Sequence, residues 1–225
     1  MLDTLELGPR EDAAASVIWM HGLGASKHDF EALVPMLGLP DVRFVFPQAP
    51  HRPVTLNNGY VMPAWYDILS LGPGPKREEE AGIRASAAAI GALIERERER
   101  GVPDERIVLA GFSQGGAMAL HTGLRHDRPL LGMLVLSAYL VLPHTVAAEA
   151  NAANTATPIL FCHGQQDEVV GFTRGQAAYE AVRAGRSARW EPFTGGHQVT
   201  GPEVRVIREW LHERVVDGSL GVSLP

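Results

Sequence analysis

Ile107-Val108-Leu109-Ala110-Gly111-Phe112-Ser113-Gln114-Gly115-Gly116-Ala117-Met118-Ala119-Leu120 passes from aliphatic and β-branched residues, through a serine between glycines, into small helix formers. That order predicts a strand, a sharp turn and a helix. Gly111-Phe112-Ser113-Gln114-Gly115 fits G-x-S-x-G, in which the serine occupies a cramped turn and the glycines let strand and helix approach closely. A serine at a helix start presents its hydroxyl at the sheet edge, where free N–H groups and the positive helix end favour a developing oxyanion. Alone the pattern is weak, because a serine between glycines is as often a plain loop or cap. The apolar run before it and the helical pattern after it supply the context that the motif requires.

The same alternation continues on both sides. Residues 16–20 read as a strand entering His21-Gly22-Leu23-Gly24-Ala25-Ser26, a glycine-rich turn that passes into a helical segment at Asp29-Phe30-Glu31-Ala32-Leu33-Val34. Residues 42–46 give the next strand, stopped by Pro47-Gln48-Ala49-Pro50. Residues 51–75 lose periodicity yet carry Tyr60, Val61, Met62, Trp65, Tyr66, Ile68 and Leu69, so they read as an irregular apolar loop that packs over the core and lines a substrate groove. Residues 78–100 form a long helix by the spacing of Ile83, Ala87, Ile90 and Ile94, closed by Gly101 and Pro103. Beyond the elbow come strands at 131–136, 158–162 and 188–193, with a helix at 172–184 before the third. A last helix starts at Thr200, where Thr200 and Glu203 fit a capping box. Strands alternating with helices predict an α/β fold, a mostly parallel central sheet covered by helices on both faces, with the loops after the strands along one edge.

With 225 residues, 45% of them hydrophobic, the chain suffices for one core, and it reads as a single domain over 1–225. A net charge of −6 and the absence of a basic stripe argue against nucleic acid or an anionic membrane as partner. The run Glu95-Arg96-Glu97-Arg98-Glu99-Arg100 alternates in sign and reads as the solvated end of a helix. One cysteine, Cys162, sits in an apolar run and reads as a buried strand residue. No signal-like N-terminus and no apolar run of roughly 18 residues are visible, so a cytoplasmic protein without an integral membrane segment is expected.

A serine hydroxyl needs a general base, and the base needs an orienting acid. His197, in Thr194-Gly195-Gly196-His197, follows the 188–193 strand and precedes the last helix; Asp167, in His163-Gly164-Gln165-Gln166-Asp167-Glu168, follows the 158–162 strand, with Glu168 its nearest rival. The order Ser113, Asp167, His197 agrees with that of the α/β-hydrolase fold. Two N–H donors are needed for the oxyanion: that of Gln114, and one from the glycine loop, where Leu23 is best placed. His21 reads as a loop-positioning residue. There is no metal constellation, phosphate loop or dinucleotide fingerprint, and the chemistry requires no cofactor.

These segments resemble the phospholipase/carboxylesterase family of α/β-hydrolases, which includes the acyl-protein thioesterases and small bacterial carboxylesterases. The likeness runs through His21-Gly22-Leu23-Gly24, Arg52-Pro53-Val54-Thr55, Asn58-Gly59, Trp65-Tyr66-Asp67, Gly82-Ile83-Arg84, the Ser113 elbow with Gly116, Leu136-Ser137, His163-Gly164, Asp167, Val169-Val170 and Gly196-His197. The bacterial esterases look closest, especially through residues 52–69. The resemblance implies a catalytic triad of Ser113, Asp167 and His197 and oxyanion donors at Leu23 and Gln114. It also implies an acyl groove walled by Leu23, Trp65, Tyr139, Leu140 and Leu142. Pro63, Gly171 and Gly195 stand where many relatives carry arginine, proline and methionine, and near Ser26 many carry an acidic residue; these departures touch the groove's rim. The expected function is a serine carboxylesterase acting on short- to medium-chain acyl esters. An acyl-thioesterase or lysophospholipase using the same triad is the alternative, and an inactive hydrolase-fold binding module a minor one. A small-molecule acyl ester or thioester is the implied partner, and the resemblance leaves a homodimer open.

Overall fold

The chain is described from a computed structural model over residues 1–70 and 77–216. In chain order it forms β1 (Thr4–Leu7), β2 (Ala15–Met20), α1 (Val34–Leu37), β3 (Val42–Pro47), β4 (His51–Val54), β5 (Tyr60–Pro63), α2 (Glu80–Glu99), β6 (Ile107–Phe112) and α3 (Gln114–Arg125). β7 (Gly132–Leu136), α4 (Val146–Glu149), β8 (Ile159–Gly164), α5 (Phe172–Arg183), β9 (Ala188–Phe193) and α6 (Gly201–Val215) follow. Seven strands make one sheet in the order β1-β3-β2-β6-β7-β8-β9, parallel throughout except for β1, which runs antiparallel to β3.

The strand period of two explains the layers. Ile18 and Met20 of β2 join α2 and α3 in one core, whereas Val17 and Trp19 turn to the opposite face and meet α1 and α6 through Leu37, Trp210 and Leu211. On β7, Met133 and Val135 face α3 and α5, and Leu134 and Leu136 face α6. Both faces are therefore buried, which is why the central strands read as unbroken apolar runs. This is the α/β-hydrolase fold.

Three features depart from the expectations. Residues 51–70 are not wholly irregular: β4 and β5 pair as an antiparallel hairpin, and Asn58 and Gly59 both take positive φ at its turn. The Asn-Gly pair was the available signal. Residues 71–76 of that stretch, and 217–225 of the expected domain, lie outside the described residues. The helical segment near residue 30 is a short 3₁₀ turn, Glu31–Leu33, ahead of the four-residue α1. Finally, the charged end of α2 is not all solvated. Glu97 is fully buried and meets the buried Arg43 of β3 at 2.7 Å, with Ser16 donating at 2.6 Å and Arg100 at 2.9 Å. Burial alone would raise the Glu97 carboxyl, but the hydrogen bonds from Ser16 and Arg43 outweigh it and hold the group below its usual range. Cys162 is buried in β8 as expected, and burial pushes its thiol well up.

Strand β6 and helix α3 meet where no side chain fits. A Cβ on Gly111 would lie 2.3 Å from the Gly115 backbone, and one on Gly115 would lie 2.3 Å from the carbonyl oxygen of Met20. Gly115→Ala is therefore expected to destabilise by about 1–3 kcal/mol or more, since backbone must move. Gly91→Ala, in a helix interior with open space at its Cβ, is expected to be neutral or stabilising by up to about 1 kcal/mol. Thermal and urea unfolding of the two variants checks the contrast, which equal shifts would contradict.

Candidate active site

Ser113 caps the junction of β6 and α3 with φ 55° and ψ −120°, a left-handed conformation rare outside glycine. Its own N–H donates to the Leu136 carbonyl at 2.8 Å, anchoring the turn to β7, and the residue lines a cavity. The neighbouring first N–H groups of α3 have no partner within the helix.

His197 comes from the loop between β9 and α6. Its Nε2 stands 2.9 Å from Ser113 Oγ, and its Nδ1 stands 2.7 Å from Asp167 Oδ2. With an ionised carboxylate, Nδ1–H donates to Asp167 and Nε2 is free to accept from the serine. Asp167, buried in the loop after β8, uses its other oxygen to accept from the N–H groups of Val169 at 2.9 Å and Val170 at 2.8 Å. The carboxylate is thereby fixed on both sides. Glu168, the rival acid, is exposed on the cavity rim and makes no bond to His197.

The histidine loop is laced to its neighbours. Gly195 N–H donates to the Gln166 side chain at 2.6 Å, Gln166 N–H donates back to Gly195 at 2.9 Å, and the Phe112 ring lies 4.6 Å from the imidazole. The end of the loop enters α6 through the capping box: Glu203 N–H donates to Thr200 Oγ1 at 3.4 Å and Thr200 N–H to Glu203 Oε2 at 3.3 Å.

On the other side, His21 holds the glycine loop after β2. Its Nε2 accepts from Ala49 N–H at 3.1 Å, leaving Nδ1 to donate to Gly22 O at 2.7 Å. Burial depresses its basicity, which keeps the ring neutral. This agrees with the positioning role read from the sequence. Leu23 lines the same cavity as Ser113 and Gln114, and among the described residues no hydrogen bond engages its N–H. The Gln114 side chain has a second use that the sequence did not suggest. Its Oε1 accepts from Trp65 N–H at 2.7 Å and its Nε2 donates to Tyr66 O at 2.8 Å, while the Trp65 indole donates to His21 O at 2.8 Å. The segment after β5 is thus tied to both loops that carry the expected oxyanion donors.

The cavity encloses about 480 Å³ and is walled by Leu23, Leu56, Ile68, Tyr139, Val169 and Val170 around Ser113 and His197, with Asp29, Glu168 and Arg174 as its charged residues. Of the expected groove residues, Leu23 and Tyr139 lie in it. Trp65 does not: it is fully buried and serves as the strut just described. Leu140 and Leu142 do not either, because the chain turns after Tyr139 and places them in a second cavity of about 410 Å³. Ile68 belongs to the stretch expected to line the groove, whereas Val169, Val170 and Arg174 were not assigned to it; the apolar Val169-Val170 pair beside Asp167 was the one available signal, and nothing local pointed to Arg174.

A model of the phospholipase/carboxylesterase family matches residues 7–214. The chain belongs to that family of serine hydrolases. It is 37% identical to acyl-protein thioesterase 1 of Neurospora crassa over 213 residues, which span 89% of this chain and 87% of the relative. Among solved structures, SOBER1 of Arabidopsis thaliana matches with 31% identity and a TM-score of 0.84, over 89% of this chain and 99% of that one. Acyl-protein thioesterase 2 of Zea mays matches with 26% identity and a TM-score of 0.83, over 96% and 100%. The curated kinship is thus with a fungal acyl-protein thioesterase, which corrects the expected lean toward bacterial esterases. No helix among the described residues is long and apolar enough to cross a membrane.

Burial lifts the Glu203 carboxyl to about 7, against a weaker lowering by the Thr200 N–H. A raised carboxyl favours the folded state at low pH and withdraws that stability as pH climbs from the ordinary carboxylate range through 7. Glu203→Gln keeps a capping side chain without the charge. Its melting temperature is expected to gain on that of the parent between pH 5 and 8, as read by thermal scans; a constant or shrinking difference would contradict the burial argument.

Proposed function

We propose that the chain is an acyl hydrolase in which Ser113 is the nucleophile, His197 the base and then the acid, and Asp167 the group that fixes the imidazole tautomer. The observation that carries this reading is the continuous path Asp167–His197–Ser113, with steps of 2.7 and 2.9 Å, opening into a cavity with mainly apolar walls. Ser113 Oγ attacks the acyl carbonyl as its proton passes to His197 Nε2, and the N–H groups of Leu23 and Gln114 receive the charge on the carbonyl oxygen. His197 then protonates the departing alcohol or thiol. Water, activated by the same imidazole, releases the carboxylic acid from acyl-Ser113. No step calls on a cofactor.

The substrates we infer are acyl thioesters as well as oxygen esters, with short to medium acyl chains. Kinship with an enzyme named acyl-protein thioesterase favours the thioester, and the 480 Å³ cavity is of a size for a modest acyl group. Both leaving groups use the same residues, so the choice lies in the rim and not in the relay.

Ser113→Ala and His197→Ala are each expected to lower kcat by on the order of 10⁴–10⁶, and Asp167→Asn by about 10⁴, with folding retained. Steady-state kinetics with circular dichroism as the folding control checks this; turnover within tenfold of the parent in any of the three would overturn its assigned role. Octanoyl thioester and octanoyl oxygen ester are both expected to be turned over and to lose activity together in Ser113→Ala. Hydrolysis of the oxygen ester alone would return the reading to a carboxylesterase.

A further inference from the structure

Two cavities meet back to back at one pair of side chains. The cavity at Ser113 and the one holding Leu140 and Leu142 share Tyr139 and Arg174 as lining residues. The Arg174 guanidinium lies 3.5 Å above the Tyr139 ring and donates to Glu78 Oε1 at 2.6 Å, with the Glu78 side chain 10% exposed. Tyr139 is fixed from below by the buried Tyr66, hydroxyl to hydroxyl at 2.8 Å. On the far side Leu140, Leu142, Pro143, Ala178 and Ala181 make an apolar lining beside Arg77 and His144.

We propose that the Arg174–Glu78 pair, laid across Tyr139, is the end wall of the acyl cavity and sets the longest acyl chain the enzyme accepts, and that the cavity beyond fits the distal methylenes of a longer chain. The inference rests on the acyl-hydrolase reading. A methylene chain crossing the wall must part an ion pair that is mostly shielded from water, and it gains nothing from the charged groups it displaces. Chains that end before the wall keep the pair intact. Beyond it the lining is apolar again, so each further methylene buried there would strengthen binding roughly fourfold.

The test is kcat/KM for p-nitrophenyl esters from acetyl to palmitoyl. In the parent enzyme it is expected to fall beyond medium chains. Arg174→Ala combined with Glu78→Gln removes both partners, so that neither charge is left buried alone, and is expected to raise the long-to-medium ratio tenfold or more. Ala181→Phe, which fills the far cavity, is expected to cancel that gain in the double variant and to leave the parent's profile unchanged. An unaltered profile in the folded double variant overturns the proposal, as does a parent that takes palmitoyl as well as octanoyl. If the double variant does not fold, the parent and Ala181→Phe decide: a profile altered by filling the far cavity shows that chains already reach it and overturns the wall. A parent inactive toward every chain length overturns the acyl-hydrolase reading itself, a different outcome from an active enzyme with the wrong profile.

Discussion

Ser113 is held in a left-handed backbone conformation, and much of the site depends on what makes that affordable. A non-glycine residue at φ 55° costs on the order of 1–3 kcal/mol, which the surroundings must offset. They do so by contact: Gly111 and Gly115 let β6, α3 and the end of β2 meet backbone to backbone, and the Leu136 carbonyl takes the Ser113 N–H. The same contact brings the loop after β2, with Leu23, to the start of α3, with Gln114. The proposed nucleophile and the expected oxyanion donors are therefore one packing solution and not two.

Buried polar groups then fix the loops that a parallel sheet leaves free at its edge. Asp167 accepts from Val169, Val170 and His197, so both its oxygens are engaged and its direction is set. The Gln114 amide and the Trp65 indole do the same for the opposite side, joining α3, the segment after β5 and the His21 carbonyl. Groups of this kind destabilise strongly when half-satisfied and position accurately when fully satisfied. The Arg43–Glu97 pair, remote from the cavity, ties α2 to β3 through a buried ion pair, with Arg43 Nη2 left without a hydrogen-bond partner among the described residues.

The parts of the fold legible in the sequence are those with a strong period or a covalent constraint. The central strands, α2, α3 and the capped α6 follow from apolar runs, helical spacing and the Thr200–Glu203 box, and their bounds differ from expectation by only one or two residues. β1 was silent because Thr4-Leu5-Glu6-Leu7 is short and its pairing with β3 is a tertiary fact. Glu97 was misread for a related reason: a sign-alternating run looks solvated until a partner from another element, Arg43, faces it. At the site, chain order and loop position brought Ser113, Asp167 and His197 into one reading, because the fold forces those loops to one edge. The cavity wall was less legible. Trp65, Leu140 and Leu142 are apolar and near the right loops, but whether such a side chain points to the cavity, into the core or into a neighbouring cavity depends on the turns after β5 and β7.

In the proposed reaction Ser113 carries the acyl group. Rapid mixing of the enzyme with octanoyl thioester or with p-nitrophenyl octanoate, acid quench and mass spectrometry of the peptides tests it most directly. One octanoyl adduct, on Ser113, is expected from both substrates, absent in Ser113→Ala and strongly reduced in His197→Ala. Turnover with no adduct in repeated early quenches, or an adduct on another residue that survives in Ser113→Ala, would contradict it.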